Sequence, residues 1–405
     1  MKILVISQYY FPESFQITPI CEQLVADGHD VTVLTGRPNY PSGVVPQEYK
    51  TGHKEEIICG VRVIRCFEVG RRHGPLWLAL NYLSYCLSSI WKVFKLKDHY
   101  DLVFIYQLSP VLMAIPGCLY AKKHHLPLFL YCCDLWPESL KMYIQNEKNP
   151  LFLAIKYISR RIYRSADRIA TQSPSFISYL EKTHGIPTDK LLYLPTFADE
   201  TYLDQDFTPE QETFNFVFLG NLGIAQNLLA VLTAVEKIKD IPGFQVHFVG
   251  DGCCLQDMKT FVAEHGLTEI VVFHGRKPVE EMPKYYKLAN ACLVSLKADN
   301  QTGFTLPAKV QGYMAAGKPI LGMIDGSAKE VIEESGCGLC VNADDIDGFA
   351  NAMADFILNK EQYQNCGKNG REYFKTHFKK SIFMEHLHTE IADLVRQHTS
   401  TLNCK

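Results

Sequence analysis

Short apolar runs recur along the chain, separated mostly by segments long enough to form a helix. In the first half they fall at residues 3–6, 31–34, 61–64, 102–105, 128–131 and 169–171; in the second half at 216–219, 246–249, 271–273, 292–296 and 320–323. That alternation predicts a parallel sheet covered on both faces in each half. Between the halves, residues 195–212 are polar and acidic with no sustained apolar period, which reads as a linker and not as a core element. The pattern therefore divides the chain into a first domain (1–195), a linker (196–212), a second domain (213–376) and a C-terminal segment (377–405). Residues 383–395 of that last segment have helical spacing. The fold class is α/β, with two doubly wound, Rossmann-like domains. Open sheets of this kind bind ligands beyond the carboxyl ends of their strands, so both domains are expected to turn their loops toward one shared crevice.

The most informative local stretch runs Thr305-Leu-Pro-Ala-Lys-Val-Gln-Gly-Tyr-Met-Ala-Ala-Gly-Lys-Pro-Ile-Leu321. It reads as a loop, one helix, a glycine stop and a strand. Pro307 suits the first turn of a helix, whose free N–H groups and positive dipole end make an anion site, and Lys309 adds a cation there. Gly317 and Pro319 end the helix. The competing reading is an ordinary amphipathic helix of an α/β sheet. Gly220-Asn-Leu-Gly223 follows a strand and precedes a helical segment, so its amides can approach a phosphate closely. Arg276 follows the run at 271–275, at the carboxyl end of a strand. Gly220, Asn221, Gly223, Arg276, Thr305 and Lys309 are therefore the candidate donor-binding residues, with a diphosphate as the natural guest. Arg276 and Lys309 are also candidate catalytic groups, because two cations can stabilise the charge that grows on a departing nucleoside diphosphate. For Arg276 a surface salt bridge is the plainer alternative.

In the first half, Asp134 and Glu138 flank Trp136-Pro137 at the end of a strand. A carboxylate there can orient or deprotonate a substrate hydroxyl, and Trp136 can stack on an apolar substrate face, so Asp134 and Glu138 are candidate catalytic residues and Asp134 and Trp136 candidate contacts for an accepting substrate. Asp134 as a simple helix cap is the alternative. Glu13, after Phe11-Pro12, is placed on the same rim.

Charge and composition alter this picture in a few places. Residues 1–195 hold 22 Lys/Arg against 16 Asp/Glu, and residues 196–405 hold 19 against 28, so the first half is the one suited to an anionic membrane. Residues 75–91 carry no charge, and Arg71, Arg72, Lys92, Lys95 and Lys97 flank them; a helix lying in a membrane interface and a core helix with solvated ends are both open. Lys156, Arg160 and Arg164, with Arg161 beside them, line a helical face that can meet lipid phosphates or only solvent. The chain opens on Met1-Lys2 followed by a short β-branched run, which does not read as a secretion signal; a cytoplasmic protein is expected, peripheral at the inner face of the cell membrane. The 14 cysteines then read as buried thiols, including Cys132, Cys133 and Cys292, with Cys337-Gly-Leu-Cys340 an isolated pair. Asp204-Gln-Asp206 and Asp344-Asp-Ile-Asp347 are not placed to hold a divalent ion beside the donor.

Taken together, the 305–321 stretch, Asp134-Leu-Trp-Pro-Glu138, Tyr9-Tyr-Phe-Pro-Glu13, Gly28-His-Asp-Val-Thr-Val-Leu-Thr-Gly36, Pro38-Asn-Tyr-Pro41, Gly220-Asn-Leu-Gly223 and Gly275-Arg276 resemble the signature segments of family 4 glycosyltransferases. The resemblance is to the capsule and O-antigen branch related to the fucosamine transferase WbuB. It implies the GT-B architecture, a C-terminal helix that crosses back to the first domain, a nucleoside-diphosphate sugar donor, a lipid-linked glycan acceptor, retention of configuration, no metal and no nucleic-acid partner. The family commonly carries two glutamates eight positions apart where this chain has Phe304 and Gly312, a basic residue where it has Ile224, and His or Gln where it has Cys133. Phe304, Gly312 and Ile224 keep a non-catalytic assembly protein open as a rival, and the same architecture keeps open a UDP-N-acetylhexosamine 2-epimerase. A nicotinamide dehydrogenase is disfavoured, since no glycine fingerprint follows the first strand.

Overall fold

In the computed structural model, which describes residues 1–72, 74–298 and 306–403, the chain divides into two compact units. One comprises Met1–Leu194 together with the chain from Met384 onward; the other is Pro195–Phe383. Each is a Rossmann-like α/β domain.

The first unit holds an eight-stranded sheet of β1 (Lys2–Ile6), β2 (Asp30–Thr35), β3 (Glu55–Ile58), β4 (Val61–Arg65), β5 (Leu102–Gln107), β6 (Leu128–Cys132), β7 (Arg168–Thr171) and β8 (Leu191–Tyr193), in the order β3-β4-β2-β1-β5-β6-β7-β8. Its helices are α1 (Ile17–Ala26), α2 (Gln47–Thr51), α3 (Pro75–Val93), α4 (Ile115–His124), α5 (Pro150–Ser165) and α6 (Pro174–Tyr179). Central strands are buried throughout: every residue of β5 is covered, as are Ile3 to Ile6 of β1. Helices on both faces impose this, and it is why these strands show as unbroken apolar runs.

The second unit carries β9 (Phe214–Leu219), β10 (Phe244–Val249), β11 (Val271–Gly275), β12 (Ala291–Ser295), β13 (Ile320–Met323) and β14 (Gly338–Val341), all parallel, in the order β11-β10-β9-β12-β13-β14. Around them lie α7 (Leu228–Lys237), α8 (Leu255–Glu264), α9 (Met282–Leu288), α10 (Ala308–Ala315), α11 (Ser327–Ser335), α12 (Ile346–Leu358) and α13 (Cys366–His377). The pleat sorts β9 between two cores: Phe216 and Phe218 join one, Val217 and Leu219 the other. Strand order reverses between β9 and β12, which makes the carboxyl end of β9 the position within this unit where sheets of this kind bind ligands. The last helix, α14 (Lys380–Asn403), belongs to the first unit from Met384 on; there Glu390 pairs with Arg168 at 3.3 Å and His388 with Asp27 at 3.3 Å.

Three strands were not expected. β3 reads Glu-Glu-Ile-Ile and is the antiparallel edge strand, its charges blunting the free edge while Glu55 and Glu56 pair with Arg62 and Arg65 of β4. β8 and β14 are too short to show a period. The linker expectation needs correction. Within 196–212, Tyr202, Leu203 and Phe207 are buried in the second unit's core, where the rings of Tyr202 and Phe207 meet Tyr286 at 4.9 and 5.5 Å. Isolated apolar residues among acids leave no periodic trace, so composition concealed them.

Every described cysteine is a free thiol, and Cys337 and Cys340 are both buried. Among the described residues no helix is long and apolar enough to cross a membrane, and no group of three or more His, Cys, Asp or Glu is poised to hold a metal.

Candidate functional site

In the second unit the strand ends build a close-packed backbone floor. Gly220, directly after β9, has φ 134°, a conformation that favours glycine. Gly250, directly after β10, lies so near that a Cβ on it would stand 1.8 Å from the Gly220 carbonyl oxygen. Gly220 donates its N–H to Val249 O at 2.9 Å, and Gly250 donates to Gly275 O at 2.9 Å, so β9, β10 and β11 end at one level. The loop continues under restraint, with Leu222 N–H bonded to Asp251 O and Cys254 N–H to Leu222 O. The Asn221 amide fills the space beside Gly223 and Gly252, where a Cβ would stand 2.5 and 2.8 Å from it.

Lys309, in the first turn of α10, reaches over this floor. Its Nζ lies 3.7 Å from the Phe218 ring centroid and donates to Gln226 Oε1 at 2.8 Å, and a Cβ on Gly220 would be 3.6 Å away. Among the described residues no carboxylate stands within ion-pair distance of it. Burial pushes this ammonium down to about 7. Two further residues, not expected from the sequence, complete the site. Gln226 holds the ammonium, and the Tyr313 hydroxyl accepts from Leu219 N–H at 3.0 Å, tying α10 to the end of β9. Downstream, Gly317 N–H bonds Met314 O and Lys318 N–H bonds Tyr313 O, each at 2.9 Å, and Gly317 has φ 65°. That paired closure is the expected glycine stop.

The structure thus brings Gly220, Asn221, Gly223 and Lys309 together. Arg276 stands apart, exposed after β11, two strands from β9 on the same edge and without an ion pair among the described residues. Thr305 and Phe304 lie outside the described residues. Gly312 approaches Tyr286 closely, a Cβ there falling 3.2 Å from the hydroxyl oxygen.

The first-unit candidates are arranged differently from expectation. Asp134 is enclosed: Ser139 Oγ donates to Oδ1, Ser109 Oγ donates to Oδ2, and Trp136 Nε1 reaches Oδ2 at 3.2 Å. Burial raises its carboxyl and these donors pull it back. Trp136 is only 7% exposed and its ring N–H is bonded to Ser109 and Asp134, so it offers no open stacking face. Its carbonyl accepts from buried His184 Nε2 at 2.9 Å, while Gln107 Nε2 donates to Asp134 O at 3.0 Å. Glu138 pairs with Lys141 at 2.6 Å and accepts from the Tyr179 hydroxyl at 2.8 Å. Glu13 accepts the N–H groups of Asn39 and Tyr40 at 2.8 and 2.6 Å, so it clamps the 37–41 loop. The acceptor roles assigned to Trp136 and Glu13 do not fit these partners. Arg160 and Arg164 likewise donate to Thr183 O and His184 O, which removes them from a free phosphate-binding ladder.

What does face outward here is aromatic. Tyr40 and Phe11 are exposed, Tyr40 stands against Tyr9 and Phe15 with centroids 6.1 and 5.5 Å apart, and the Arg71 guanidinium lies 5.9 Å from the Tyr40 ring. On α3, Leu76, Leu80, Leu83, Leu87 and Trp91 form an exposed apolar stripe at helical spacing.

Comparison with known proteins agrees with the arrangement. Residues 15–196 match the model described as glycosyl transferase 4-like domain, and residues 200–373 the model described as glycosyl transferases group 1. Over 338 residues the chain is 23% identical to a putative colanic acid biosynthesis glycosyl transferase, WcaI, of Escherichia coli, covering 78% of this chain and 82% of that one. It is 26% identical over 240 residues to a probable glycosyltransferase, WbjE, of Pseudomonas aeruginosa, covering 56% of this chain and 58% of the relative's length. In fold it is similar to Anabaena HepE, solved in complex with UDP, with a TM-score of 0.70 at 13% identity over 97% of this chain and 100% of that one. The two matched models, each on its own Rossmann-like unit, place the chain among the group 1 glycosyltransferases of GT-B type with a family 4-like first domain.

Proposed function

We propose that the chain moves a sugar from a nucleoside diphosphate to a lipid-linked oligosaccharide in capsular polysaccharide or O-antigen assembly, as a WbuB-like enzyme that retains anomeric configuration and needs no metal. The observation that carries this reading is Lys309, a largely buried ammonium held over the Gly220 floor, which among the described residues has the neutral Gln226 amide and the Phe218 ring beside it and no carboxylate. A diphosphate supplies the missing anion: α10's first-turn amides and Lys309 would bind it, with Arg276 at the outer edge. As the bond from the sugar's anomeric carbon to the phosphate oxygen breaks, negative charge gathers on that oxygen, and these groups stabilise it. The bond to the acceptor oxygen forms on the same face, and the acceptor's proton passes to the leaving phosphate oxygen, so no separate base is required. The enclosed state of Asp134 is consistent with that route. The exposed Tyr40 and Phe11, backed by Arg71, are the surface proposed for acceptor sugars.

UDP is the first donor nucleotide to try, since HepE is described with it. The lipid-linked acceptor fits the exposed leucine stripe of α3, which carries no carboxylate, has Arg71 and Arg72 before it and Lys92, Lys95 and Lys97 at its end, and is proposed to rest on the inner face of the cell membrane.

The test is a thermal-shift screen of the purified chain against UDP- and GDP-sugars, followed by assay of nucleotide release with a lipid-linked acceptor in chelator. Stabilisation by one nucleotide sugar, with acceptor-dependent release and an axial or equatorial linkage matching the donor by NMR, is expected. Nucleotide-sugar interconversion without acceptor would reveal an epimerase instead. No binding at millimolar ligand would overturn the reading altogether.

A further inference from the structure

A cavity of about 310 Å³ in the first unit belongs to neither expected site. It lies among β4, Arg37 after β2, the α2 region and the last turns of α3, and its lining includes Arg37, Tyr49, Lys54, Arg65, Trp91 and Lys92. Among the described residues its wall holds four Lys or Arg side chains and no Asp or Glu. Arg65 is only 7% exposed: Nε pairs with Glu56 at 2.7 Å, Nη2 donates to Phe11 O at 2.7 Å, and buried Nη1 has no hydrogen-bond partner among the described residues. The guanidinium stacks 4.8 Å from the Tyr49 ring centroid. Glu56 is the adjoining counter-charge, and it is already shared with His53 at 2.9 Å. Arg37, Lys54 and Lys92 form no ion pair among the described residues.

An orphaned buried N–H of a fixed guanidinium is costly, and a phosphate oxygen is its best complement. The cavity's position selects among phosphate sources. Trp91 and Lys92 lie at the end of the α3 leucine stripe, and the rim carries two exposed aromatics, Phe67 and Trp91, the residue type that settles at the level of lipid headgroups. We propose that this cavity binds the phosphate headgroup of an anionic phospholipid while the adjoining stripe lies in the bilayer interface. The site rests on the membrane-contact reading given above, and it specifies which chemistry that membrane presents.

Flotation of the full chain with vesicles of phosphatidylcholine alone, and of phosphatidylcholine with phosphatidylglycerol, tests this at physiological ionic strength. Cations near a charged bilayer contribute about fivefold each in affinity wherever they sit, so a matched control is needed. The triple variant Arg37→Gln, Lys54→Gln, Lys92→Gln is therefore compared with Lys95→Gln, Lys97→Gln, Lys123→Gln, which removes equal charge nearby but outside the cavity. The cavity variant is expected to lose phosphatidylglycerol vesicles by at least about tenfold more than the control. Equal losses would overturn the site, leaving only diffuse surface charge. Glycerol phosphate that raises the melting temperature of the native chain but not of the cavity variant, with vesicle binding no more weakened in the cavity variant than in the control, would assign the cavity to a soluble phosphate and overturn the lipid. Failure of the membrane-contact reading shows separately: Leu83→Asn with Leu87→Asn would then bind both vesicle types as the native chain does.

Discussion

Lys309 and Asp134 were both expected to act on substrate, yet their surroundings are opposite. Among the described residues the Lys309 ammonium has one neutral hydrogen bond and an aromatic face, whereas both oxygens of Asp134 are taken by Ser109, Ser139 and Trp136. A buried charge left without its counter-ion costs stability that only a ligand restores; a carboxylate surrounded by donors is already at rest. The comparison separates a group kept ready for an anion from one that fastens a loop. It also separates the two signature segments that carried the resemblance, one built around a cation with neutral partners and the other around satisfied bonds.

The largest effect that would break this contrast is at Lys309. Lys309→Met is expected to lower kcat/KM by about 10²- to 10³-fold, the usual cost of removing one preorganised stabiliser of a leaving oxyanion, with the melting temperature of the ligand-free protein unchanged or raised. Steady-state assay of nucleotide release beside thermal melts checks both halves. Full activity in this variant would leave the second unit's anion site without its principal cation.

Asp134→Asn probes the other side. It is expected to destabilise the fold by about 1–3 kcal/mol, because one oxygen that accepts becomes an amide that donates toward Ser139 or Ser109. Activity per folded molecule should fall less than about tenfold, a modest change beside the 10²- to 10⁴-fold typical of a lost general base. Denaturant melts paired with assay at low temperature distinguish the two losses. A collapse of turnover with unaltered stability would return Asp134 to the reacting atoms.

The difference was only half legible in the sequence, for physical reasons. Covered strands such as β1 and β5 announce themselves as unbroken apolar runs, and Gly317 with Pro319 marked the end of α10 because few other residues close a helix that way. Lys309 was visible from its place at a helix start. Its isolation was not, since that depends on Gln226, 83 positions away, and on there being no acid within ion-pair distance among the described residues. The enclosure of Asp134 was hidden for the same reason: Ser109 lies 25 residues earlier, and no spacing rule connects it. Trp136 looked like a platform because a tryptophan beside a strand end often is one; burial decided otherwise.

A smaller effect sharpens the contrast through pH. With no ligand, Lys309 holds its proton up to about pH 7, and a bound diphosphate must raise that value. Affinity for UDP should therefore be level in this group's contribution below pH 7 and fall as pH rises above it, approaching about tenfold per unit until the bound form also titrates. Calorimetry in buffers of different ionisation heat should show proton uptake on binding at pH 8. The slope should vanish in Lys309→Met, and its persistence there would assign the titration to another group.

The smallest effect concerns a second carboxyl in the first unit, Glu68, which resembles neither of the others. It is fully enclosed, with Oε1 accepting from Gln8, Asn39 and Asn81 at 2.8, 3.1 and 2.6 Å, while Oε2 has no hydrogen-bond partner among the described residues and crowds Gly36, where a Cβ would come within 1.7 Å. Burial pushes this carboxyl up to about 8. Its folded value thus lies above its unfolded one, so its contribution to stability is complete below about pH 4.5 and is lost as pH rises toward 8. Glu68→Gln keeps the shape without the ionisation, and it should flatten the decline in melting temperature between pH 5 and 8. Asn81 belongs to α3 and Asn39 to the loop that carries Tyr40, so this network fastens the proposed membrane helix to the proposed acceptor surface. A stiff link requires the neutral acid; vesicle binding and acceptor KM should accordingly weaken together above pH 8 in the native chain and separate in the glutamine variant.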